Sequence, residues 1–272
     1  MSNVSHHNKH QHMPSYLLLD RFRTELRSTT PMDADLLLES ANGHSVFYVP
    51  FEHVNTDARL VLVGITPGPT QMKLAREVAR EQILAGASNA TILLKAKQAA
   101  AFAGMRDRIN QMLDHFRIPS LLGLGVATNL WDTQFRHFQP TSLIPNAAFK
   151  GSEYFNGPFE SILAVSILRE QFEGHFIPSI ANISKEAVFV AMGPVVQAGL
   201  SWCAARGLIE KTQILGYFPH ASGSSGSQFA YFMRDKTLEQ LKPKDPVRHR
   251  AHDLDAAYHA ISQGVRSRFQ NA

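Results

Sequence analysis

The chain has 272 residues, 44% of them hydrophobic and 18% charged, with a formal net charge of +4. That length fits one large domain, or a domain with appendages, able to bury a real core, and the mild basic excess suits an anionic partner such as nucleic acid without requiring one. One cysteine, Cys203, excludes an intrachain disulfide and a cysteine-ligated zinc or iron–sulfur cluster. No apolar run approaches the length of a membrane span, and the first residues lack the succession of a signal peptide, so the expectation is a cytoplasmic protein with no membrane partner.

Residues 1–13, "MSNVSHHNKHQHM", are polar and histidine-rich and read as a disordered tail. The body is expected over residues 14–241. "SYLLLDRFRTELRS" places Leu17, Leu18, Phe22 and Leu26 at helical spacing, predicting a packed N-terminal helix. "HSVFYVPFEHV" reads as a strand or an extended lead-in, with Pro50 arguing for a sheet edge. Leu60–Val63, "LVLV", is a short, wholly apolar run before Gly64, the pattern of a buried parallel strand. Helix formers then dominate from Met72 to about Met112. "GLGVATNLWD" is another apolar run ending in polar residues, read as a strand closing on Asn129. A third strand, Ala187–Ala191, leads through a Gly-Pro turn into a helix in which Cys203 is expected as a buried structural thiol. A fourth, Gln213–Phe218, ends in a Gly/Ser loop. Residues 242–272 carry six Lys/Arg against three Asp and predict a basic C-terminal helix packed on the body. Asp253 is its expected N-cap, and Leu254, Tyr258, Ile261, Val265 and Phe269 form its apolar face. Strands alternating with helices indicate an α/β fold with a central, mostly parallel four-stranded sheet.

Ligands of open parallel sheets bind beyond the carboxyl ends of the strands. Three of the expected strands end in "GITPGPT", "ATNLWD" and "FPHASGSSG", which puts Thr66, Asn129 and His220 on one rim. Any one of them has an ordinary explanation as a turn or surface residue. Their coincidence at one sheet edge carries the information.

In their order along the chain these segments resemble the uracil-DNA glycosylase superfamily. A Gly-x-x-Pro-Gly turn, "GITPGP", follows the first core strand, Phe102 precedes a helix in "AFAGMRDRINQML", Asn129 ends "ATNL", and "PHASGSSG" supplies His220 and Ser222. The "TPGP" turn is most similar to the single-strand-selective and mismatch-specific branches, and the resemblance spans about Leu60 to Phe232. It implies a three-layer α/β/α sandwich and hydrolysis of the bond between a damaged base and deoxyribose, with the nucleotide flipped into a pocket of a monomeric enzyme. By matching position, Gly64, Ile65, Pro67 and Gly68 would approach base and sugar, Phe102 would stack on the base, and Asn129 would read its polar edge. His220 would stabilise the leaving anion, and Ser222 with the rest of Ser222–Ser227 would contact phosphates. No cofactor and no metal are implied. Lys73, Arg76 and Arg80 are candidates to line the DNA backbone track.

One residue departs from the superfamily pattern. Most active members carry Asp, Asn or Glu where this chain has Thr66, and that group positions or polarises the attacking water. A threonine hydroxyl holds water but is no base. Three outcomes stand open: slow excision of an easily lost base, another acid such as Asp132 entering the pocket, or a nucleic-acid-binding protein without turnover. A further reading of "GITPGPT" is a phosphate-binding turn of a nucleotide-binding enzyme, although it lacks the P-loop lysine.

Overall fold

A computed structural model describes residues 17–28, 33–222 and 225–269, so the histidine-rich start lies outside the described residues, as do Gly223 and Ser224 of the Gly/Ser loop. The strands are β1 (Leu37–Ala41), β2 (His44–Phe47), β3 (Leu60–Gly64), β4 (Phe138–Ser142), β5 (Ala147–Lys150), β6 (Glu153–Tyr154), β7 (Val188–Met192) and β8 (Ile214–Phe218). They form two sheets. One is parallel throughout, in the order β4-β3-β7-β8, and the other is antiparallel, in the order β1-β2-β5-β6.

The parallel sheet is buried on both faces, which is why β3 and β7 read as unbroken apolar runs. Leu60, Leu62, Val188, Val190 and Leu215 face one cluster, built with Ile109 and Met112 of the helix Arg106–His115 and with Leu254 and Ile261 of the helix Ala251–Phe269. Val61, Val63, Phe189 and Ala191 face the other, with Phe159, Phe172 and Phe176 and with Val196, Leu200 and Cys203 of the helix Pro194–Ala205. Burial of Cys203 in that layer pushes its thiol up to about 12, which makes it a packing residue. The C-terminal helix meets β8 backbone to backbone. A Cβ on Gly264 would run into the Leu215 carbonyl, and Gly216 (φ +138°) lies against Ile261.

Several expectations need correction. "GLGVATNLWD" is not a strand: Gly123 and Gly125 take left-handed conformations (φ +69° and +78°), and Ala127–Trp131 coils into a 3₁₀ helix. The Asp114 carboxylate accepts from the Ala127 N–H (2.8 Å) at its start. The fourth parallel strand is β4, "FQPTS", whose Pro140 weakens any strand assignment from sequence; β4 pairs only with β3, so the missing N–H costs no ladder bond. The Pro50 argument also fails, because β2 ends at Phe47 and lies between β1 and β5. The N-terminal helix is two short ones, Leu17–Arg21 and Arg23–Arg27, which bury Leu19, Phe22 and Leu26 and leave Leu17 exposed. Asp253 lies inside the first turn of the last helix, and the residue that caps is Asp245, accepting from the Val247 N–H (3.0 Å) at a preceding 3₁₀ turn.

The stretch between Gln71 and Phe102 is a helical hairpin, Pro69–Leu84 and Asn89–Ala100, packed through Ala79, Ile83, Ile92, Leu93 and Ala96 onto the N-terminal helices. Among the described residues, no helix is long and apolar enough to cross a membrane.

Candidate active site at the strand ends

The chain leaves β3 toward β4 on one side and later returns to β7 on the other. A crevice therefore opens at the carboxyl ends of these strands, where the connections diverge. It holds a cavity of about 760 Å³, within the range of small-molecule sites. Gly64, Ile65 and Thr66 after β3 line it, with Gly68–Gln71 at the start of the next helix and Phe102–Met105 from the loop after the helical hairpin. Ser142 closes β4, Met192 closes β7, and His220 and Ser222 follow β8. The antiparallel sheet supplies the remaining wall, Glu153–Asn156.

Seven of the residues singled out in the sequence thus share one cavity: Gly64, Ile65, Thr66, Gly68, Phe102, His220 and Ser222. Gly64 sits at a close approach, since a Cβ there would lie 3.3 Å from Ser142 Oγ and 3.4 Å from Phe102 Cε1, so either side chain would have to give way. Phe102 is buried at φ +55°, an uncommon conformation for a residue with a Cβ. The Gln71 side chain holds it there by accepting its backbone N–H (2.8 Å), and Trp131 packs edge-on against its ring, centroids 6.4 Å apart. Strained positions of this kind persist where surrounding structure over-determines them, and they cluster at functional sites.

His220 sits exposed on the rim, yet enough of its ring is desolvated to hold its pKa below the ordinary histidine value. Its Nδ1 accepts from the Ser222 N–H (3.3 Å). A neutral imidazole that accepts at Nδ1 carries its proton on Nε2, which makes Nε2–H a donor. The loop itself is pinned from behind: Arg108 donates to the Ser222 carbonyl and lies over the Phe229 ring, 5.3 Å from its centroid.

Thr66 has a different occupation. Its hydroxyl donates to the Asn146 carbonyl (2.8 Å) and accepts from the Ala148 N–H (2.9 Å). Those two residues lie where the chain passes from β4 into β5, so Thr66 fastens the parallel sheet to the antiparallel one.

Comparison with known proteins bears on kinship alone. The chain is 30% identical over 207 residues to the uncharacterized protein YoxB of Bacillus subtilis (strain 168), covering 75% of this chain and 80% of that one. The chain belongs to the YoxB family. No protein-family model matches it, and no solved structure matches it.

In this YoxB-family fold the remaining sequence candidates fall outside the cavity. Pro67 is buried beside it without lining it. Asn129 sits in the 3₁₀ helix, half-buried, with its carbonyl accepting from the N–H groups of Asp132 and Gln134 (3.2 and 2.8 Å); it does not line the cavity, and neither does the exposed Asp132. The asparagine that follows the strand beside β3 is Asn146. Its side chain is spent on the Val49 N–H (2.9 Å) and on Gln171 Oε1 (2.9 Å). Two side-chain amides line the cavity, Gln71, whose Oε1 holds the Phe102 N–H, and Asn156, exposed on the loop after β6; the carboxylate is Glu153. Neither Asn156 nor Glu153 gave a sequence signal, because a two-residue strand has no periodicity to read. Arg76 is no backbone contact either: it is buried, and it donates to Asp33 (2.5 Å) and to the Tyr48 carbonyl (3.3 Å). Lys73 is exposed and lies 3.8 Å from Glu77.

Among the described residues that line the cavity, none is Lys or Arg. Among the described residues, too, no group of three or more His, Cys, Asp or Glu could hold a metal ion. A separate set of ionisable groups lies behind the turn. Tyr48 donates to Glu52 Oε1 (2.7 Å), and Lys97 donates to the His53 carbonyl (2.5 Å). Desolvation raises Glu52 to about 7 and lowers Lys97 to about 7, and each charge partly offsets the other's shift.

Proposed function

We propose that the chain is a DNA glycosylase that takes up a flipped uracil or related deaminated base and hydrolyses its N-glycosidic bond. The observation that supports this best is the convergence of Gly64, Ile65, Gly68, Phe102, His220 and Ser222, from distant parts of the chain, on one cavity with no Lys or Arg among the described residues that line it. A neutral heterocycle suits such a cavity. A phosphate held by the turn after β3 would lack a cation beside it, which disfavours a nucleotide-binding enzyme. Phe102 lines the cavity and is the aromatic residue on which a base would stack, and Gly64 lets its ring and the strand end come together. As the bond to the sugar breaks, the base departs as an anion. The Nε2–H of a neutral His220 donates to the carbonyl where that charge collects. The amide that reads the polar edge of the base is then Asn156 rather than Asn129.

A second reading keeps the fold and the pocket but not the turnover. It is favoured by Thr66, whose one O–H is spent on the Asn146 carbonyl and which is no base for a nucleophilic water. The test is incubation with single- and double-stranded oligonucleotides carrying uracil, hypoxanthine or mismatched thymine, followed by alkali. Strand breaks at the lesion support excision. Intact strands on every substrate with protein in excess, together with salt-dependent fluorescence anisotropy, support binding alone.

A further inference from the structure

Base excision leaves one role unfilled on the turn after β3, since Thr66 cannot accept a proton from water and its hydroxyl is already engaged. Asp132 stands outside the cavity. Among the described residues that line it, one carries a carboxyl group: Glu153, the first residue of β6. Glu153 is exposed, so its carboxylate keeps contact with the solvent that would supply the nucleophile. It is carried on an edge strand paired with β5 and reached through a turn with Gly151 at φ +60°, whereas His220 comes from the end of β8. A carboxylate and an imidazole on separate walls of one cavity match the two polar roles of N-glycoside hydrolysis: an acceptor for the proton of water and a donor to the departing base.

We infer that Glu153 is the general base of the excision step, a role that rests on the glycosylase reading. The Glu153 carboxylate takes one proton from a water molecule while the water oxygen bonds to the anomeric carbon of the sugar. The bond from that carbon to the base nitrogen breaks, and its electron pair leaves with the base, whose carbonyl oxygen meets the His220 Nε2–H. The proton on Glu153 then passes to the departing base or to solvent and restores the carboxylate. Water is the sole co-reactant.

Lys150 lies directly opposite Glu153 in the β5–β6 pair, and a purely structural role would be a cross-strand charge pair. The experiment separates the two roles. The full chain, Glu153→Gln, Glu153→Ala and Lys150→Ala are compared on a uracil oligonucleotide in single turnover, with melting temperature and oligonucleotide affinity measured alongside. The expected result is a fall of about 10²-fold or more in the Gln variant at unchanged affinity and melting temperature. Partial recovery of the Ala variant by added formate, and a nearly normal Lys150→Ala, complete it. A Gln variant as fast as wild type overturns the role of Glu153 and leaves glycosylase activity standing. So does a loss shared by Lys150→Ala and matched by a drop in melting temperature. Wild-type protein that cuts no substrate overturns the glycosylase reading itself, and this role with it.

Discussion

Two loops line the cavity and use their polar groups in opposite ways. On the turn after β3, the one polar side chain is consumed by the fold, Thr66 bridging Asn146 and Ala148. On the loop after β8, the fold consumes the backbone instead: Arg108 holds the Ser222 carbonyl, and the Ser222 N–H holds His220 Nδ1, leaving Nε2–H as a donor. One wall is a joint between two sheets, and the other keeps a donor that the fold does not use. Position beside a cavity therefore does not separate a catalytic residue from a structural one. What separates them is whether hydrogen-bonding capacity remains once the fold has been satisfied.

The largest effect expected from this contrast is at His220. Removing one donor aimed at developing negative charge typically costs about 10²–10³-fold in rate, so His220→Ala should lose that much excision activity in single-turnover assays while its melting temperature stays within about a degree of wild type. A variant that melts early would make the loop after β8 as structural as the turn after β3. Phe102→Ala comes next. The stacking lost with one base is about 1–3 kcal/mol, read as weaker binding of a uracil-containing strand by anisotropy. This variant should also lose stability, because the ring is buried against Gly64 and Trp131.

Thr66→Ala inverts the pattern set by His220. It leaves the buried Ala148 N–H and the Asn146 carbonyl without their partner, at a cost of about 1–3 kcal/mol in denaturant unfolding. Excision by the folded fraction should change little, and Thr66→Ser, which keeps the hydroxyl, should restore most of the stability. Activity lost at unchanged stability would return Thr66 to the chemistry.

This division of labour was only half legible in the sequence. β3, β7 and β8 could be read because strands buried on both faces are continuous apolar runs, and the turn and loop at their ends followed from that. β4 was hidden by Pro140, which only an edge strand tolerates, and that displaced the expected strand-end amide onto Asn129 in a 3₁₀ helix. Glu153 and Asn156 were hidden for another reason. The antiparallel sheet that carries them is built on the long-range pairing of β5 with β2, and the hairpin that adds the two-residue β6 is too short to show a pattern. That Thr66 is a staple was likewise out of reach, because its partners lie about eighty residues away.

The rigid wall extends behind the turn, and its smallest predicted signature is a pH dependence of stability. The segment after β2 is tied to the turn's surroundings through the Val49 N–H on Asn146 and the Tyr48 carbonyl on Arg76, and it carries Glu52 beside Tyr48 and Lys97. Glu52 is raised from 4.5 to about 7 on folding, chiefly by desolvation. Its contribution to stability is therefore complete below about pH 4.5 and is lost as the pH rises through 7, because there the unfolded chain releases the proton more readily. Lys97, lowered from 10.5 to about 7, contributes in the opposite sense: fully above its unfolded value, and lost as the pH falls through 7. The two trends meet near neutrality, where the pair gives the fold least. Glu52→Gln keeps an acceptor for the Tyr48 hydroxyl and removes the acidic limb, while lowering Lys97 further by withdrawing the charge that partly offset its shift. The difference in melting temperature between wild type and this variant should consequently shift against wild type from about pH 5 to 7. Lys97→Met removes the alkaline limb, and its difference from wild type should shift in favour of wild type from about pH 7 to 10. Taking differences cancels other titrating groups, including His53, whose desolvation lowers its own pKa. A wild-type-minus-Gln difference that stays constant across the acidic window would mean that the Glu52 carboxylate is as well solvated in the folded chain as in the unfolded one, and that the wall behind Thr66 is open to water.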